Sequence, residues 1–179
     1  GAEWFRELGT PDAPGTTLVS VGGAVAEPQE VEVATGTPIK TILEMAGGLT
    51  GPVRGFRTGG FGGTWAGPDL VDSTWDPDAL RSAGIAVGSG ILWALPMDRC
   101  ALVESALTYD YLAGESAGQC GVCTFGLSDT AKDFLALGQC RTDADAVAGL
   151  QAKLADIPRR GGCALPDGGV RMAQSAMAV

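Results

Sequence analysis

Glu115-Ser116-Ala117-Gly118-Gln119-Cys120-Gly121-Val122-Cys123 carries a CxxC pair set among glycines, where one helical pattern stops and another begins. A further thiol, Cys163, stands downstream in Gly161-Gly162-Cys163-Ala164-Leu165-Pro166-Asp167. Two neighbouring thiols and one distant thiol are enough to start a soft-metal site, because thiolates favour zinc and iron–sulfur clusters over hard cations such as magnesium. Free cysteine also packs well as a small hydrophobe. Spacing alone therefore leaves both open: a metal or cluster site, and a set of buried core thiols.

Outward from this stretch the texture is helical. Leu102, Ala106, Tyr109 and Ala113 share one face of a helix expected from about Asp98 to Gly114. Ser128 reads as the cap of a second helix running to about Leu137, with Ala131, Phe134 and Leu135 inward. Thr142-Asp143-Ala144-Asp145 resembles a capping box, and Val147, Leu150, Leu154 and Ile157 form the stripe of a third helix that Pro158 terminates. Asp167 reads as the cap of a fourth, with Val170, Ala173 and Met177 on one side. Four amphipathic helices joined by short loops predict a four-helix bundle over residues 98–179.

Before Met97 the β-branched residues return. Residues 17–21 read as a strand broken by Gly22-Gly23, and Val31 and Val33 alternate with Glu30 and Glu32 as a half-buried strand. Thr37-Pro38 starts a helix, with Thr37 as N-cap and Pro38 in the first turn. Ile39, Ile42, Leu43 and Ala46 give it an apolar side, and Gly47-Gly48 ends it. A third strand is expected at 53–58, a short one at Leu70-Val71, a brief helical turn at 78–83 and an apolar strand at 91–95. This order, hairpin then helix then strands, is that of a small β-grasp, ubiquitin-like domain over residues 17–97. Residues 1–16 read as a linker or tail whose aromatic pair, Trp4-Phe5, packs on the adjoining domain. The fold class is α+β. Gly59-Gly60-Phe61-Gly62-Gly63-Thr64-Trp65 lacks the spacing of a phosphate-binding loop and reads as a tight turn with an exposed aromatic.

Composition narrows the chemistry. The chain has 179 residues, 45% of them hydrophobic and 18% charged, which suits one large domain or two small ones with a real core. A net charge of −9 with no basic run argues against a nucleic-acid partner. No apolar run is long enough to cross a bilayer. The absence of histidine excludes Ser-His-Asp and Cys-His catalysis and histidine metal sites. Five cysteines, an odd number, with no secretion signal point to reduced thiols and a cytoplasmic location. The first residue is glycine, not methionine, as expected of a chain processed, engineered or cut from something longer. Gly118 and Gly121 let the backbone wrap closely and turn N–H groups toward a bound cluster, and Arg159-Arg160 stand near enough in sequence to Cys163 to offset its negative charge. A solvated helix end accounts equally for the two arginines.

Several of these stretches together resemble a known family. Gly15-Thr16-Thr17-Leu18-Val19-Ser20-Val21-Gly22-Gly23, Gly36-Thr37-Pro38-Ile39 and Ala46-Gly47-Gly48 are similar to the SLBB-type β-grasp domain of the flavoprotein F subunit of NADH:quinone oxidoreductase. The 115–123 stretch and Cys163-Ala164-Leu165-Pro166-Asp167 resemble that subunit's iron–sulfur helical domain, in the same order. Trp4-Phe5-Arg6 with Leu8-Gly9-Thr10 is similar to the connector before them. The resemblance implies electron transfer through one iron–sulfur cluster, [4Fe–4S] or [3Fe–4S], held by Cys120, Cys123 and Cys163. It also implies other redox subunits, or an attached flavin domain, as partners. FMN and NADH belong in the family to a preceding domain absent from these residues, so no independent NADH oxidation is expected.

The departure from the family is at Ala117. The family's motif, Ser-Cys-Gly-x-Cys-x-x-Cys with a distant fourth cysteine, has its first cysteine there. Three outcomes are open: completion by Cys140 just past the second helix, or by an oxygen ligand or water; a three-iron cluster; or no cluster, with the helices kept as a scaffold. Cys100 reads as core. The rival function is a cluster-free module that docks a partner subunit or small ligand through the β-grasp face with Trp65 as its anchor, and structural zinc is a third possibility.

Overall fold

The computed structural model describes residues Gly1–Val179. They divide into two compact units, Gly1–Asp98 and Arg99–Val179. The first is built on a five-stranded mixed sheet and the second is helical.

In the first unit a short helical turn, α1 (Ala2–Phe5), precedes β1 (Thr16–Gly23), β2 (Gln29–Ala34) and α2 (Ile39–Met45). Then come β3 (Val53–Thr58), β4 (Thr64–Ala66), α3 (Pro77–Ser82) and β5 (Ile91–Pro96). The strand order is β2-β1-β5-β3-β4, with β1 parallel to β5 and the other pairs antiparallel. The period-two pattern of β2 does what it predicts: Val31 and Val33 are buried, and Glu30 and Glu32 are exposed. In α2, Ile39, Ile42, Leu43 and Ala46 are all buried. Each of the three larger side chains contributes about 1.5–3 kcal/mol by leaving water. They join Val19, Val21, Phe56, Trp75 and Leu92 in one core.

Several local expectations are corrected. β1 does not stop at Gly22-Gly23: both glycines pair with β5, opposite Trp93 and Ala94. A Cβ on Gly23 would lie 2.1 Å from the Ala94 carbonyl oxygen, and its φ is +81°, so only glycine keeps the ladder running. Pro38, not Thr37, is the N-cap of α2, because the Thr37 hydroxyl donates to Ala34 O at 2.6 Å. Leu70-Val71 lies in a 3₁₀ turn, Pro68–Asp72, not a strand. The strand is Thr64–Ala66 instead, reached through a 3₁₀ turn, Gly60–Gly62, that folds it back on β3. Trp65 is therefore 4% exposed and meets Trp93 edge to face, with centroids 6.1 Å apart. The exposed aromatic of that loop is Phe61. Residues 1–16 are stitched to the end of β2. The Thr35 hydroxyl donates to Ala13 O, Thr10 N–H donates to Thr35 Oγ1, and Thr35 N–H donates to Gly15 O. Trp4 stays exposed and Phe5 half out of water, against Gly15.

The second unit contains α4 (Ala101–Gly114), α5 (Ser128–Gly138), α6 (Ala144–Asp156) and α7 (Leu165–Ala176). Tyr109 of α4 stacks on Phe134 of α5, centroids 5.8 Å apart, and Gly169 of α7 lies against the Tyr109 ring. Leu150, Leu154 and Ile157 are buried, as the stripe predicts, and Asp143 caps α6 by accepting from Ala146 N–H at 2.9 Å. Two other expected caps are not caps. Ser128 has helical dihedrals, because the wide-turned π segment Val122–Leu127 runs straight into α5. Asp167 sits inside the first turn of α7, whose cap position is Ala164, and accepts from Arg159 N–H at 2.8 Å. Leu135, expected inward, is exposed.

Candidate metal centre

After α4 the chain turns through residues 115–120 on short-range hydrogen bonds. Gly118 takes φ +62°, and its N–H donates to the Ser116 hydroxyl at 3.1 Å. The Thr124 hydroxyl donates to both Gly118 O and Cys120 O, at 3.2 and 3.1 Å. Cys123 and Thr124 N–H both donate to Cys120 O, which starts the π segment directly on the CxxC pair. The loop thus presents Cys120 half-buried and Cys123 buried, 7% exposed, at the mouth of a helix.

The Gly161-Gly162-Cys163 turn between α6 and α7 reaches the same place. The N–H groups of Gly162, Cys123 and Val122 bear on the Cys120 thiol. Together, with Gly162 foremost, they hold the Cys120 thiol below its ordinary value against a smaller desolvation cost. Cys123 is pushed the other way, mainly by burial and then by the negative charge that Cys120 and Cys163 acquire on ionising; the Ser116 hydroxyl, donating to its sulfur, partly offsets this. Thiols from both segments therefore bear on Cys123. They are not drawn tightly enough to chelate a single ion, since no three carboxylate or thiol side chains gather at that range.

The other residues singled out by sequence stand elsewhere. Ala117 is exposed in the loop and its carbonyl accepts from the Gln119 side chain at 3.3 Å. Gly121 opens the helical run, with φ −59°. Cys140 is exposed just past α5, in the left-handed region at φ +54°. A continuous helical run, 122–138, separates it from Cys123, so the two thiols lie roughly 20 Å apart at 1.5 Å per residue. Cys100 occupies the N-cap position of α4, at the opposite end of that helix from the loop. Arg160 is paired with Asp156 at 2.7 Å on an exposed helix end. Sequence reasoning missed Ser116 and Gly162, whose hydroxyl and amide bear on the Cys123 and Cys120 thiols. Their signal was only their place beside the cysteines.

The donor set fits three corners of an iron–sulfur cluster: three thiols, backbone N–H groups on one sulfur, and a partly dry shell around Cys123. Ala117, where the motif has its first cysteine, offers only a methyl group. Residues 103–179 match the NADH-ubiquinone oxidoreductase-F iron-sulfur binding region. The F subunit of NADH-quinone oxidoreductase in Rickettsia typhi is 30% identical over 130 residues, covering 70% of this chain and 31% of that protein. The Streptomyces coelicolor F subunit is 28% identical over 128 residues, 70% of this chain and 28% of its own length. The chain is homologous to the C-terminal region of these F subunits. It spans about a third of the length of the relatives it matches. In fold it is also similar to a chain of an NAD+-reducing [NiFe]-hydrogenase, in the H2-reduced state, with a TM-score of 0.86 and 23% identity over 99% of this chain and 30% of the other. No helix is long and apolar enough to cross a membrane.

Proposed function

We propose that this chain is the electron-relay portion of an oxidoreductase of the F-subunit type. A β-grasp sheet domain over residues 17–97 is followed by a four-helix domain over 98–179, in which Cys120, Cys123 and Cys163 hold one iron–sulfur cluster. The strand order β2-β1-β5-β3-β4, with α2 crossing after the first hairpin, supports the β-grasp reading. What supports the functional reading is the approach of the α6–α7 side to the CxxC loop: α7 packs on the 122–127 segment, and the Gly162 N–H bears on the Cys120 thiol.

A bound cluster supplies one-electron chemistry. The protein supplies its ligands, N–H groups near the Cys120 sulfur that stabilise added negative charge, and the partly dry surroundings of buried Cys123. In the family it resembles, the hydride-accepting flavin and the NADH site belong to a preceding domain, and these residues take the part that relays electrons from it to further redox subunits. The rival docking reading loses its anchor, since Trp65 is buried in β4. A zinc site requires sulfurs only about 3.8 Å apart around one ion with bonds near 2.3 Å, and no such trio is present.

Anaerobic purification tests the proposal. The protein is expected to carry iron and sulfide with a broad brown absorbance, lost in Cys123→Ser. A colourless, iron-free wild type under those conditions refutes it.

A further inference from the structure

The geometry points to a cluster with one iron that no protein thiolate reaches, open to a small exogenous donor such as water or a low-molecular-weight thiol. This rests on the cluster reading above and goes beyond it by assigning the fourth corner. The chain has five cysteines, and the structure accounts for the two not already placed at the site. Cys140 follows the far end of the 122–138 helical run, roughly 20 Å from Cys123. Cys100 precedes α4, whose fourteen residues, Ala101–Gly114, put a similar rise between it and the loop. Bringing either thiol to the site means unwinding a helix whose inner face is buried, Ala106 and Tyr109 in α4, Ala131 and Phe134 in α5.

Oxygen donors near the site are already engaged. The Ser116 hydroxyl accepts from Gly118 N–H and acts on the Cys123 sulfur. The Thr124 hydroxyl donates to two carbonyls, and Asp167 accepts from Arg159 N–H. Glu115 remains as a hard carboxylate, a poor match for a sulfide-rich iron compared with thiolate. Access, by contrast, is unobstructed: Ala117, Gly118, Gln119, Gly121 and Cys163 are all exposed. A small molecule from solvent can therefore take the corner that Ala117 leaves without a ligand.

The test compares wild type, Ala117→Cys, Cys140→Ser and Glu115→Gln, each prepared anaerobically as the full chain. Iron, sulfide and the paramagnetic spectrum are measured before and after one equivalent of ferricyanide. Wild type is expected to lose one iron in four: [4Fe–4S]2+ gives [3Fe–4S]+ and Fe2+, with the released electron reducing ferricyanide. Cys140→Ser and Glu115→Gln should behave like wild type, whereas Ala117→Cys keeps all four irons. Added 2-mercaptoethanol should shift the spectrum of the reduced cluster in wild type and leave that of Ala117→Cys unchanged. Retention of four irons by wild type, with lability appearing in Cys140→Ser or Glu115→Gln, overturns the open corner. Iron bound only by Ala117→Cys also overturns it, by showing that three thiols do not suffice. Iron in none of the four proteins refutes the cluster reading itself.

Discussion

Phe56, Trp75 and Ile42 in the sheet unit and Tyr109, Phe134 and Leu154 in the helical unit are all out of water, yet the two interiors are built differently. The sheet unit closes a single cluster of branched and aromatic side chains over five hydrogen-bonded strands, and its ladder satisfies the backbone independently of any ligand. The helical unit relies on small residues, Ala101, Ala106, Ala131, Ala173 and Ala176, that let helices approach, and on a few large rings. Its cysteine loop is held by a few local hydrogen bonds: the Ser116 hydroxyl accepts from Gly118 N–H, and the Thr124 hydroxyl donates to Gly118 O and Cys120 O. A bound group that ties these segments together stabilises this unit, because binding free energy adds to the folded state that binds.

The sharpest way to break that contrast is a cavity in each core. Phe134→Ala should cost about 3–5 kcal/mol and Ile42→Ala about 2–5 kcal/mol. Amide exchange read peptide by peptide should show the first opening α4 and α5 while β1 and β2 keep protection, and the second doing the reverse. Loss of protection in both units after either change would mean that they do not fold separately. Gly23→Ala tests the sheet alone. The positive φ and the clash with Ala94 O predict a loss of about 2 kcal/mol or more, read as a drop in melting temperature.

Smaller effects come from the caps, one in each unit. Asp76→Ala and Asp143→Ala should each cost about 1 kcal/mol. At Asp76 the N–H of Ala79 foremost, and that of Asp78, hold the carboxyl below its usual value. Its contribution is full above the ordinary carboxylate range and fades as pH falls through the depressed folded-state value, so wild type and Asp76→Ala should converge in acid melting curves. The smallest change has the opposite sign. The Tyr109 hydroxyl is buried without a hydrogen-bond partner, so Tyr109→Phe should be neutral or stabilising by up to about 1 kcal/mol in urea titration.

Much of this was legible in the residues. The α2 face, the alternation of β2 and the stripe of α6 follow from spacing, because each buries one side against a single layer. The grouping of Cys163 with the CxxC pair was open from the thiols alone and was favoured only by the family resemblance, since no local pattern joins two segments so far apart. Start points were hidden where tertiary contacts override capping propensity. Ser128 looks like a cap, but the helix begins earlier, on Cys120 O. Asp167 looks like one too, but serves the turn before its helix. The glycine-rich stretch concealed β4 because its turn depends on positive φ at Gly59 and Gly60, which sequence permits without requiring. The remoteness of Cys140 depended on the π segment fusing with α5, a continuity that the expected Ser128 cap had denied.

That fused run from 122 to 138 also has a practical side. Its distal tip offers an exposed sulfhydryl, Cys140, to which a fluorophore, spin label or electrode tether can be joined by maleimide coupling ahead of the half-buried Cys100 and the buried Cys123. The helical shaft then acts as a fixed ruler between the tag and the CxxC turn, so that dipolar measurements would report distance along a known axis.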